Sequence, residues 1–119
     1  MLKKSKRHVN FLELVPERSL EWITSEEGHV KLLVPKYGKS SFGVWLAKQL
    51  QKPYMYIKLD AIGSAVWKAC DGHSTVYEIA QKLKAEFGDD IEPIYDRLGQ
   101  FFRELERSKF IKWKNLTSF

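Results

Sequence analysis

Apolar and polar positions are spaced differently in the two halves of the chain. Short β-rich runs come first and a strong helical period follows, which is an α+β order. Ser19 to Ile23 and Val30 to Val34 read as two strands, and Glu26, Glu27, Gly28 and His29 between them supply a glycine-containing turn, so a hairpin is predicted. Residues 36–52 are a polar connection in which Phe42, Trp45, Leu46 and Leu50 have the spacing of a short amphipathic helix. Tyr54 to Leu59 is a third strand, with Pro53 at its start, where a missing amide donor is best tolerated. Alternation turns Met55, Ile57 and Leu59 to one face and Tyr54, Tyr56 and Lys58 to the other.

Three helices follow. Asp60 caps the first, which carries Ile62, Ala65, Val66 and Ala69 inward and ends at Asp71-Gly72. Thr75 and Glu78 form a capping box for the second, whose apolar face is Val76, Ile79, Ala80, Leu83 and Phe87, closed by Gly88. The third is predicted to be capped by Asp90, with Pro93 in its first turn. Its stripe of Ile91, Ile94, Tyr95, Leu98, Phe101, Phe102 and Leu105 runs for about four turns. Phe110 to Trp113 make a final extended piece. The expected fold is α+β, a winged helix-turn-helix-like domain with an N-terminal three-stranded antiparallel sheet, three helices and a short C-terminal strand. One domain over 16–114 is expected, preceded by a basic extension over 1–15 and carrying the inserted connection at 36–52.

Composition narrows the class. The chain has 119 residues, 44% hydrophobic and 29% charged, the balance of one globular domain with its own core. No apolar run approaches the ~20 residues of a membrane-spanning helix. The basic opening Lys3, Lys4, Lys6, Arg7 lacks the apolar stretch of a secretory signal, so a cytoplasmic protein with no membrane partner is expected. A single cysteine, Cys70, excludes an intramolecular disulfide and a multi-cysteine zinc site. The net charge of +5 is uneven. Residues 1–59 hold 11 Lys and Arg against five acids, and residues 60–119 hold nine against ten.

Catalytic chemistry has no visible constellation: no phosphate loop, no nucleophile with a base, and no metal-ligand spacing among His8, His29 and His73. Cys70 reads as a buried small hydrophobe, Asp89 and Asp90 as helix-start residues, and His73 as a turn residue. Neither a catalytic residue, a metal nor a cofactor is therefore assigned. A winged-helix DNA-binding regulator is the alternative reading, acting through the basic N-terminal segment. Residues 91–108 weigh against a groove-reading third helix, because Arg97, Arg103 and Arg107 are outnumbered by Glu92, Asp96, Glu104 and Glu106.

From Leu59 the residues carry an ordered series: Leu59-Asp60, Gly63 to Trp67, Cys70-Asp71-Gly72, Thr75-Val76-x-Glu78-Ile79, Leu83, Phe87, Leu98, Phe101-Phe102, Leu105 and Phe110-Ile111. This resembles PqqD-like proteins, the peptide-recognition (RiPP recognition) elements of ribosomal peptide modification pathways, over roughly residues 54–113. The longer connection at 36–52 and the basic extension depart from the compact form of that family. The resemblance implies a noncatalytic module that binds the leader of a precursor peptide as an added strand and presents it to a modifying enzyme, of radical S-adenosylmethionine type. Carried onto this sequence, the binding edge is Tyr54, Met55, Tyr56, Ile57 and Lys58. The groove wall includes Tyr95, Leu98 and Phe102, and Arg97 and Arg103, flanking the stripe, are placed to pair with acidic leader residues. Leu59, Trp67 and Leu105 are expected in the core. Ile57→Pro is expected to remove an edge donor. An exposed edge also permits a homodimer by strand pairing or exchange.

Overall fold

The computed structural model describes residues 10–35 and 54–115. In chain order the strands are β1 (Pro16–Arg18), β2 (Trp22–Thr24), β3 (Val30–Pro35), β4 (Tyr54–Lys58) and β5 (Ile111–Trp113). The helices are α1 (Ala61–Ala69), α2 (Val76–Phe87) and α3 (Ile94–Arg107). The chain divides into two compact units, one spanning 20–64 and the other 1–19 with 65–119.

In the 20–64 unit the three predicted strands form an antiparallel sheet in the order β2-β3-β4. The hairpin turn closes where Gly28 takes a φ of 87° and donates to the Ser25 carbonyl, a conformation that side chains disfavour. Val30 and Leu32 are buried on alternate positions of β3, as a half-buried strand requires. The β2 strand begins at Trp22 rather than Ser19, because the Ser19 amide bonds the Phe110 carbonyl instead. Asp60 caps α1 as predicted, its Oδ1 accepting from Gly63 N at 2.7 Å. Ser64 is the buried polar residue among the described residues of this unit. Its hydroxyl accepts from Val30 N at 2.8 Å and donates to the Leu59 carbonyl at 3.3 Å, so burial leaves neither capacity unused.

The other unit packs α2, α3 and the end of α1 around Val66, Trp67, Ile79, Leu83, Ile94, Leu98, Phe102 and Leu105. Arg18 donates one guanidinium nitrogen to the carbonyls of Trp67 and Lys68, satisfying the C-terminal end of α1. The Thr75–Glu78 capping box is present in both directions, and Gly88 ends α2 with a φ of 61°. Asp90 does not cap the third helix. A 3-10 turn occupies Gly88–Ile91, α3 starts at Ile94, and the amide of Ile94 is taken by the Glu92 carboxylate. Periodicity also gave no sign of β1, which pairs antiparallel with β5. Behind β1, a 3-10 turn at Phe11–Glu13 is tied down by Asn115, which accepts from Val15 N and donates to the Glu13 carbonyl. The short helix read within 36–52 and the basic run at 3–7 lie outside the described residues.

Candidate functional site

The phase of the β3–β4 ladder determines which backbone groups β4 offers to a partner. Opposed residues in an antiparallel pair alternate between bonded and non-bonded pairs. Leu59 N donates to Val30 O, and on the other side of β3 Leu33 N donates to Glu21 O. With Leu32 opposite Ile57 and Val34 opposite Met55, it follows that Met55, Ile57 and Leu59 spend their backbone groups on β3. Tyr54, Tyr56 and Lys58 direct theirs away from it. Because β4 pairs only with β3 among the described residues, these groups form an open edge. Proline at Ile57 would therefore break an internal ladder bond, and the edge donors belong to Tyr54, Tyr56 and Lys58.

Both faces of this strand reach solvent. Met55 is 52% exposed, Tyr56 60% and Ile57 37%, while Val30 and Leu32 beside them are at most 1% exposed. Lys58 lies opposite Lys31 and reaches the Glu27 carboxylate at 3.0 Å. That hydrogen bond, helped by the lysine charge, holds the Glu27 carboxyl below the usual range.

The α3 positions expected at the groove, Tyr95, Leu98 and Phe102 in its wall and Arg97 flanking it, separate into two kinds. Leu98 and Phe102 are buried, at 3% and 1% exposure, so they are packing residues of their unit. Phe102 meets Phe11 edge-on at 6.1 Å and Trp113 at 5.5 Å. Tyr95 remains on the surface, where Gln81 donates to its hydroxyl and Lys84 Nζ lies 5.1 Å from the ring centroid. Arg97 is exposed and donates to the Asp90 carbonyl at 2.9 Å. Periodicity assigns Tyr95, Leu98 and Phe102 to one stripe with Arg97 flanking it, but a stripe this wide includes both core and margins. Its half-buried margin is Phe101, which the site reading left out. With Arg97, Gln100 and Glu104 it lines a shallow groove of about 330 Å³ along α3.

Burial raises the Cys70 thiol to about 12, with Asp71 adding to the shift and Arg18 opposing it, and the thiol donates to the Val66 carbonyl at 3.2 Å. Such a group is a poor nucleophile. Among the described residues no cluster of His, Cys, Asp and Glu could hold a metal ion, and no helix is long and apolar enough to cross a membrane.

An open strand edge carrying exposed apolar side chains is the surface on which one class of domain receives extended peptides. The family model for PqqD, described as Coenzyme PQQ synthesis protein D, matches residues 50–111, more than half of the chain and all of it from β4 into β5. The chain belongs to the PqqD family. Proteins of this family bind a precursor peptide in ribosomal peptide modification and partner a modifying enzyme. Searches of curated proteins and of solved structures give no match.

Proposed function

We propose that this chain captures the leader of a ribosomally made precursor peptide as an added strand on β4 and holds it for a modifying enzyme of radical S-adenosylmethionine type. The carrying observation is the open edge. Tyr54, Tyr56 and Lys58 offer donors and acceptors to an extended chain, and Met55, Tyr56 and Ile57 offer exposed apolar surface beside them. Backbone pairing supplies affinity that tolerates sequence variation, and contacts with alternate side chains supply selectivity. Lys31 and Lys58 lie side by side on one face of the sheet and favour an acidic residue at the facing position of the leader. The chain contributes no chemical step. Holding the leader raises the effective concentration of the core segment at the enzyme.

Amide hydrogen exchange with a synthetic leader tests this reading. The amides of Tyr54, Tyr56 and Lys58 should gain protection on binding, whereas those of Met55 and Ile57, already bonded to β3, should be protected before and after. Protection gained elsewhere with these three unchanged would refute strand addition. Tyr56→Pro is the matching variant, since an edge strand accepts proline where the amide faces outward. It should keep the fold and weaken leader binding by about tenfold, the combined effect of a lost hydrogen bond and a blocking ring.

A further inference from the structure

Two lysines stand directly opposite each other in the 20–64 unit, Lys31 on β3 and Lys58 on β4. The Leu59 amide bonds the Val30 carbonyl, so the next pair along, Lys31 with Lys58, is a non-bonded pair, the kind that brings side chains closest. Like charges so placed are destabilising. One carboxylate relieves them: Glu27, from the turn between β2 and β3, meets Lys58 Nζ at 3.0 Å. The charges of Lys58, His29 and Lys31 all act to hold the Glu27 carboxyl below the usual range, so several cations share a single acid.

That pairing is open to exchange. The side chains of Lys58 and Glu27 are 50% and 67% exposed, and exposed pairs are weak. The backbone of Lys58 faces away from β3, so a strand added to β4 sets one of its residues beside Lys58, on the face that Lys58 shares with Lys31 and Tyr56. A carboxylate there can take the ammonium from Glu27, which keeps the nearby charge of Lys31. Two residues along the added strand, the next side chain on this face meets Tyr56, and the residue between them lies on the opposite face beside Ile57. From Tyr54 to Lys58, β4 itself holds no acid, so a second copy pairing through this strand brings another lysine and no carboxylate.

We propose that Lys58 recognises one acidic residue of the added strand and that Glu27 holds its place in the free chain, so that the peptides this edge accepts carry Asp or Glu two positions from the apolar residue that covers Tyr56. The inference rests on the strand-addition reading and names the class of peptide that reading leaves open. Like a specificity device elsewhere, it works by difference: an acidic peptide exchanges one carboxylate for another, whereas a neutral or basic one leaves Lys58 with Glu27 or repels it.

The probe is a displayed library of random ten-residue peptides, selected on the full chain and, in parallel, on Lys58→Glu. The parent should enrich Asp or Glu with an apolar residue two positions away, and the variant should replace that acid by Lys or Arg. Titrated against the parent, the enriched peptide should bind about threefold to fivefold more tightly than its analogue with the acid changed to an amide, the scale of an exposed ion pair. Lys58→Gln should erase this difference, and Glu27→Gln should tighten binding of the acidic peptide, opposite signs at two side chains that touch each other. No acidic preference in the parent, the same preference in Lys58→Glu, or unchanged or weaker binding in Glu27→Gln would overturn the inference. Amide exchange separates its failure from that of the underlying reading. Enriched peptides that protect Tyr54, Tyr56 and Lys58 without regard to charge would leave strand addition standing, whereas peptides that leave all three unprotected would refute both.

Discussion

Cys70 and Asp71 are neighbours in sequence whose pKa values shift in opposite directions, because the thiol is buried and the carboxylate accepts backbone amides. The Cys70 thiol is buried against the Val66 carbonyl, so burial pushes it up from an ordinary 9 to about 12. Between those values the unfolded chain has released a proton that the folded chain keeps, so stability falls as pH rises through this range. Urea midpoints should decline on the alkaline side, and Cys70→Ala should flatten that decline. In the native protein the thiol should resist a disulfide-exchange reagent and react only on unfolding. The Asp71 carboxylate instead accepts from the amides of His73 and Ser74, which hold its carboxyl below the usual range. Its stabilising contribution is complete above the ordinary carboxylate pKa of about 3.9 and is lost as pH falls toward the lower folded value. Asp71→Asn should reduce the acid dependence of the melting temperature.

Element boundaries followed local chemistry where that chemistry was complete in a few residues. The Thr75–Glu78 box is such a case, with Glu78 N donating to Thr75 Oγ1 at 3.1 Å and Thr75 N donating to the Glu78 carboxylate at 2.8 Å. Thr75→Ala should cost about 1 kcal/mol, seen as a melting temperature lower by several degrees. The Asp60 cap and the Gly28 turn were legible for the same reason. Asp90 misled because the 3-10 turn at Gly88–Ile91 shifts the helix start to Ile94, leaving Glu92 to supply the carboxylate. The β1–β5 pair was illegible because its partners lie far apart in sequence and each strand has three residues, too few to show a period. Side-chain alternation in β4 was readable from the pattern, but the phase of its hydrogen bonds was not. That phase depends on register against β3, and it moves the edge donors from Ile57 to Tyr54, Tyr56 and Lys58. On α3 the stripe could not separate Leu98 and Phe102, which are packed, from Tyr95 and Phe101 at its margins.

At the scale of the molecule, an open edge has more than one suitor. A strand with unpaired backbone groups and exposed Met55, Tyr56 and Ile57 is a template for any extended chain, including β4 of a second copy. A leader that adds to this edge excludes that pairing, so peptide binding and self-association are competing equilibria. By linkage, what occupies only the peptide-binding state shifts the population toward it, and at peptide about 100-fold above its dissociation constant the folded state gains about 2.7 kcal/mol. Sedimentation of the free chain should therefore show association that increases with concentration, and saturating leader should return it to a monomer carrying peptide while raising the melting temperature. Tyr56→Pro should be monomeric with or without leader, because one ring blocks both partners. Association that persists in Tyr56→Pro would locate the self-contact elsewhere and leave β4 to the peptide alone.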